Sequence, residues 1–258
     1  MKTFIDFLIE NYEEPNIHSD YLEIPRRGID EQGNPIHSEK HEYLSQILNP
    51  SSDMKRKVKN VFRDYTEQSK KLNAHLWNLK LGDAGRVRGD KDMRRSSIIM
   101  NDTLDKFPVH DKDFVVYSGV GDKSNVGNWV NNGGIIHIPS FTSSSLNVLE
   151  ARNFAGIDKQ GYSHILRIRV PANARVGGYI ASLSKFPQEE EYLFKPNQLL
   201  QVHHPIVYEN PENKFGRKFK IYDAHFMSYD DYKDRLHTNK HPEIESYRFF
   251  NQKINRGF

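Results

Sequence analysis

Three short stretches hold the side chains best suited to chemistry. Residues 186–194 read FPQEEEYLF. If Glu191 opens a strand, Glu189 and Glu191 project from one face, because strand side chains alternate with period two. Two carboxylates on one face are costly unless they serve a cation or a developing positive charge. Glycosyl transfer has that need: one carboxylate stabilises an oxocarbenium-like carbon and the other handles the incoming nucleophile. An exposed acidic turn would carry the same glutamates. Residues 140–146, SFTSSSL, set hydroxyls at a strand end ahead of a helix, where they either bond a ligand or cap the helix. Residues 114–122, FVVYSGVGD, form a strand entering a glycine turn. Gly119 and Gly121 suggest a dinucleotide-binding turn, but a third glycine in register, a following helix and βαβ alternation are all missing.

Composition removes other chemistries. The 258 residues include no cysteine, which excludes a disulfide framework, a thiolate zinc or iron–sulfur site and a cysteine nucleophile. His37 and His41 stand at i, i+4 and His203 and His204 are adjacent, but neither pair has a clustered ligand set, so no metal is expected. No apolar run approaches 18 residues, so no membrane-spanning helix is expected. The net charge of +3 conceals an asymmetry. Residues 1–50 carry 10 acidic and 4 basic side chains, whereas residues 51–110 carry 14 basic and 8 acidic. The basic segment suits an anionic partner such as a nucleotide or nucleic acid, or is a solvated helix face.

The elements that must position these groups follow from periodicity. Phe4, Phe7 and Leu8 mark a short amphipathic helix, and residues 13–40, rich in Pro, Gly, Glu, Asp and His, read as an extended linker. Met54, Val58, Val61, Phe62, Tyr65, Ser69, Leu72 and Leu76 form one stripe of a long helix, stopped by Gly82 and Gly85. A second helix is expected over 96–106, ended by Pro108. Strands are expected at 114–117, 135–138, 140–144, 164–170, 178–183, 191–194, 199–202 and 218–226. One helix interrupts them, with Asn147 and Glu150 as a capping box and Gly156 as its end. Helices first, then a mostly antiparallel β region, make an α+β fold.

Taken in order, these segments resemble the ADP-ribosyltransferases of the arginine–serine–glutamate class. Val116 to Val120 is similar to that family's aromatic–Arg–Gly strand, with Ser118 in the arginine place. Phe141 to Leu146 resembles its Ser-Thr-Ser strand, with Ser143 as the first serine and Ser144 in the threonine place. Glu189 to Glu191 resembles its Glu-x-Glu motif. Ala151 and Phe154 match the helix after the serines, and residues 65–76 resemble the helical lobe. The likeness spans roughly residues 55–226.

The resemblance implies a fold of two packed, mostly antiparallel small sheets around an NAD cleft, with a helical lobe ahead of them. It divides the chain into a leader and linker at 1–45, a transferase domain at 46–226 and a C-terminal extension at 227–258. It implies NAD as co-substrate, no metal, and transfer of ADP-ribose to an arginine of a host protein with release of nicotinamide. The implied catalytic residues are Glu191, Glu189 and Ser143. Tyr117, Ser118, Gly119, Ser143, Ser144, Ser145, Phe154 and Glu191 would hold NAD, and Phe186 and Glu189 would dock the target. Arg86, Arg88, Arg94 or Arg95 would replace the arginine that Ser118 does not supply. The protein is expected to be a monomer without membrane attachment, with nucleic acid as an optional partner. The leader, residues 1–10, resembles capsid-targeting leaders of tailed-phage internal proteins, which implies a virion location followed by the host cytoplasm; without that likeness a cytoplasmic protein is implied. The alternatives are a catalytically weakened NAD- or protein-binding module and a packaged head protein.

Overall fold

The computed structural model describes residues 52–80, 90–107, 109–120, 134–208 and 218–238. The leader, the linker and the arginines Arg86 and Arg88 lie outside these residues, as do Gly121, His37 and His41. Two helices come first, α1 (Ser52–Lys80) and α2 (Asp90–Leu104). The apolar stripe of α1 buries Val58, Phe62, Tyr65 and Leu72 against Met100 and Leu104 of α2, and against Phe107, Phe141, Ile180 and Leu193. Helical geometry in α1 breaks at Gln68 (φ −134°, ψ 35°), so the stripe runs across a kink. Helix α2 begins six residues earlier than its expected start at 96, within the charged run 90–95 that carries little apolar signal.

The strands are β1 (Phe114–Val120), β2 (Ile135–Ile138), β3 (Thr142–Ser145), β4 (Tyr162–Val170), β5 (Gly177–Tyr179), β6 (Glu191–Phe194), β7 (Gln198–Val202), β8 (Ile206–Tyr208) and β9 (Lys218–Phe226). Helix α3 (Val148–Phe154) follows β3, and α4 (Tyr229–Thr238) follows β9 within the C-terminal extension, with Tyr232 buried. The hydrogen-bonded order is β2-β7-β9-β4-β1-β3-β6-β5, with β8 beside β9. Pairing is antiparallel except between β4 and β9.

The expected two sheets are thus one network with a narrow seam. β1 pairs with β4 along seven residues but with β3 only at Tyr117↔Ser145. On one side of the seam lies the larger set that ends at β1, and on the other lie β3, β6 and β5. One face of the sheet carries the largest core, with Val116, Leu166, Ile168, Tyr192 and Phe194. Helix α3 covers part of the other face, packing Val148, Ala151 and Ala155 on Val115, Tyr117 and Ile165. On that face Arg167, buried within β4, makes a bidentate pair with Asp223, its register partner on β9.

Local chemistry explains the shorter elements. Asn147 caps α3 by accepting from the Leu149 N–H at 2.9 Å. The expected capping box is completed differently: the Asn147 N–H donates to Ser145 Oγ at 2.9 Å, the role foreseen for Glu150. Helix α3 stops one residue before its expected glycine, at an extended Ala155, and the Gly156 N–H donates to the Val120 carbonyl. β5 ends at Tyr179, because the N–H groups of Leu183 and Ser184 turn back to the Ile180 carbonyl.

Candidate active site

A cavity of about 300 Å³ opens beside the seam, lined by Thr66, Ser69, Tyr117, Gly119, Ser143, Ser144, Ser145, Ala151, Phe154, Phe186, Glu189 and Glu191. α1, β1, β3, α3, β6 and the loop before β6 each contribute to it. Register explains how β3 and β6 meet there. Ser145 stands opposite Glu191, and Ser143 stands opposite Leu193, so Ser143, Ser145 and Glu191 share a face.

Glu191 opens β6 and is 5% exposed. Burial pushes its carboxyl up to about 7, Ser143 opposes this with a side-chain hydrogen bond, and the charge of Glu189 adds to it. Glu189 reaches the same cavity by a different route from strand alternation. It ends a 3-10 turn, Pro187–Glu189, and Glu190 then takes the left-handed conformation (φ 51°, ψ 44°) before the strand begins. Half-burial raises the Glu189 carboxyl as well.

The three serines of β3 divide their work. Ser143 is exposed to the cavity and bonds Glu191. Ser144 is buried and donates to the Tyr192 carbonyl at 2.6 Å, fastening β3 to β6. Ser145 donates to the Glu189 carbonyl at 2.7 Å while accepting from the Asn147 N–H, so its hydroxyl is committed to the protein. Opposite them, Thr66 of α1 accepts from the Lys185 N–H at 3.1 Å, and Lys185 pairs with Glu67. The Ser184 hydroxyl accepts from the Phe186 N–H at 2.9 Å. The loop that presents Phe186 and Glu189 is therefore held from α1 and from β3.

Gly119 permits the close approach of α3. A Cβ there would lie 2.2 Å from the Ala151 carbonyl oxygen and 2.6 Å from the Ala155 nitrogen. The helix end that carries Phe154 sits directly on the β1 backbone for this reason. Phe154 itself is 61% exposed, a large ring left at the edge of the cavity.

No protein-family model and no curated protein sequence matches this chain. Solved structures do. The chain is similar to Plx2a, an ADP-ribosyltransferase toxin from Paenibacillus larvae, with a TM-score of 0.54 and 15% identity over 72% of this chain and 90% of that one. It is similar to the ADP-ribosyltransferase Vis in complex with agmatine, with a TM-score of 0.52 and 18% identity over 76% of this chain and 89% of that one. It is also similar to C3stau2 from S. aureus with NAD, with a TM-score of 0.52 and 17% identity over 72% of this chain and 92% of that one. The fold is that of the ADP-ribosyltransferases.

Within this ADP-ribosyltransferase fold, nine of the ten expected site residues line one cavity: Tyr117, Gly119, Ser143, Ser144, Ser145, Phe154, Phe186, Glu189 and Glu191. Ser118 does not line it. Its side chain is buried, and its hydroxyl donates to the Ser143 carbonyl at 2.9 Å, bracing the seam. Arg94 and Arg95 are exposed on α2 and do not line the cavity either. Among the described residues the wall carries two carboxylates and no basic side chain. His203 and His204 follow the end of β7 instead of alternating within it, and His203 stacks on His225 with a 3.2 Å contact between ring nitrogens. No group of three or more potential metal ligands occurs among the described residues.

Sequence reasoning missed the contribution of α1. Thr66 and Ser69 line the cavity, and Tyr65 hydrogen-bonds Ser143 from behind the wall. The available signal is Ser69, a polar residue within the apolar stripe of α1.

Proposed function

We propose that this protein transfers ADP-ribose from NAD to an arginine of a target protein, releasing nicotinamide. The observation that carries the reading is a buried glutamate, Glu191, bonded to Ser143 inside a cavity it shares with Glu189, in a fold shared with ADP-ribosyltransferases. NAD would place its nicotinamide ribose against Glu191. As the glycosidic C1′–N bond breaks, its electron pair leaves with nicotinamide and neutralises the pyridinium nitrogen. The ionised Glu191 stabilises the positive charge left on the ribose. A guanidine nitrogen of the acceptor then bonds to C1′, and Glu189 orients that group and takes the proton it loses. The Vis complex with agmatine supports an arginine acceptor, since agmatine carries a guanidinium group. C3stau2 with NAD supports the co-substrate.

The test is incubation with labelled NAD and either agmatine or a cell lysate. Labelled product and free nicotinamide from the wild type, lost in Glu191→Gln, support the reading. Full activity in Glu191→Gln overturns it. A second reading, an NAD-binding module with weakened catalysis, is favoured by the lack of a basic side chain among the described residues that line the cavity. Calorimetric binding of NAD without nicotinamide release would select it. The leader supports packaging in a phage head; failure of residues 1–10 to carry a fused reporter into phage heads would remove that setting.

A further inference from the structure

Two large apolar side chains stand exposed three residues apart, Phe154 at 61% and Ile157 at 49%. The sheet register places the second. β4 pairs with β1 through Gly119↔Ile165 and Val120↔His164, and Ile157 forms an isolated antiparallel bridge with Ser163, two residues before Ile165. The other edge of Ser163 is taken by Phe219 of β9. Ile157 therefore stands in the lane of β1, on the same face as Gly119 and about 7 Å further along. Gly119 lines the cavity, and the end of α3 that carries Phe154 lies on it. An apolar edge thus continues from the cavity wall at Phe154 to Ile157. The connection that presents Ile157 is held at both ends. The Gly156 N–H donates to the Val120 carbonyl, and the Asp158 N–H donates to the Tyr162 carbonyl at 2.8 Å. The Asp158 carboxylate accepts the N–H groups of Gln160 and Tyr162 at 2.8 and 2.9 Å. Its second oxygen lies 3.0 Å from Nε2 of His164, a buried ring whose Nδ1 lies 2.9 Å from the Tyr222 hydroxyl. None of these three side chains lines the cavity; together they fix the turn. An isoleucine on so fixed a turn loses little freedom when a partner covers it.

We propose that Ile157, next to Phe154, is a docking edge for the segment of the target protein that carries the acceptor arginine, and that it selects arginines flanked by apolar side chains. The inference rests on the reading of the cavity as an arginine-modifying site. The cavity names the occupant. Its wall carries two carboxylates and, among the described residues, no basic side chain, so the group that enters beside Glu189 is a cation. A guanidinium that reaches Glu189 leaves its own backbone at the mouth, and its chain neighbours then lie over the rim. β3 separates β6 from the β1 lane, so Ile157 stands roughly 10 Å across the sheet from the start of β6. A few residues of extended chain span that distance. An apolar neighbour of the arginine then covers an isoleucine that is otherwise half in water, which favours that acceptor over one with a glycine in the same place. Agmatine has no flanking residue and draws nothing from the edge.

The test is a kinetic comparison of the full-length protein on three acceptors with labelled NAD: agmatine, a short peptide with one arginine between leucines, and the same peptide with glycines in place of the leucines. The wild type is expected to modify the leucine-flanked peptide with a kcat/KM about tenfold above that of the glycine-flanked one. Ile157→Asp is expected to erase this preference while agmatine modification and the KM for NAD stay as in the wild type. Equal kcat/KM on the two peptides, or a preference that survives Ile157→Asp, overturns the inference and leaves the transferase reading standing. A raised KM for NAD in Ile157→Asp assigns the edge to the dinucleotide and overturns it as well. If Ile157→Asp does not fold, an undiminished preference in Ile157→Ala overturns it. No labelling of agmatine by the wild type overturns the transferase reading and the docking edge with it.

Discussion

The Ser145 hydroxyl donates to the backbone carbonyl of Glu189 at 2.7 Å, linking positions 44 residues apart in the chain. The same hydroxyl accepts the N–H of Asn147, the residue that caps α3. One oxygen thus joins the loop bearing Glu189 to the helix bearing Phe154, at the strand position opposite Glu191. Ser145→Ala removes both bonds and leaves a carbonyl and an N–H without that partner. The expected destabilisation is about 1–3 kcal/mol in urea unfolding. Transfer to an acceptor should fall more than NAD hydrolysis, because the loop it releases carries Glu189, the glutamate proposed to orient the acceptor. Equal loss of both reactions would argue that the bond serves only stability.

Glu189 and Glu191 share a cavity but not an environment. Glu191 is fixed in a strand and deeply buried, whereas Glu189 ends a turn and is half-buried. Glu189→Gln is therefore expected to abolish arginine or agmatine modification while NAD hydrolysis survives. Nicotinamide release and labelled agmatine, measured in the same reaction, separate the two. Hydrolysis lost in step with transfer would remove the acceptor role from Glu189.

Ser118 stands where the resemblance places an arginine, yet it is 7% exposed and its hydroxyl braces β1 against β3 next to the single ladder pair of the seam. A guanidinium there would be buried without its own counter-charge. Ser118→Arg is expected to lower the melting temperature and to leave NAD affinity no better than in the wild type. Tighter NAD binding in a folded Ser118→Arg protein would show that the position faces the ligand after all.

The stripe of α1 is legible in the sequence because it buries one face and burial imposes a period. The alternation of apolar and arginine residues at 166–170 suggests a half-exposed strand, but β4 is buried on both faces, with Leu166 and Ile168 in the largest core, Ile165 under α3 and Arg167 paired with Asp223. The hydroxyl run and the glutamates are legible as residue types, and nine of ten expected site residues meet in the cavity. Glu189 reaches the cavity as expected, but not by strand alternation: a left-handed residue at Glu190, which no pattern of side chains signals, replaces the strand expected to align it with Glu191. β8 escapes the sequence pattern because three residues, one of them exposed, carry no period. Tyr65 reads as a core residue of the stripe, and it is one.

Glu191 should leave a signature in both stability and rate. Its carboxyl titrates near 7 in the fold and near 4.5 in the unfolded chain. Between those values the folded protein keeps a proton that the unfolded chain has released, so stability is full below about 4.5 and is lost as pH rises through about 7. The loss is on the order of 3 kcal/mol, since each tenfold change in proton affinity is worth about 1.4 kcal/mol. Glu191→Gln carries no charge at any pH and escapes it. The variant is expected to melt at a higher temperature than the wild type at pH 8 and to show no such advantage at pH 5. Its NAD hydrolysis should nevertheless be lower on the order of 100-fold or more, because the stabilising charge is gone. The wild-type rate should climb with pH along an acid limb centred near 7, as the carboxylate forms. A flat profile between pH 5 and 8, together with equal melting temperatures at pH 8, would place the ionisation elsewhere and remove Glu191 from the centre of the reaction.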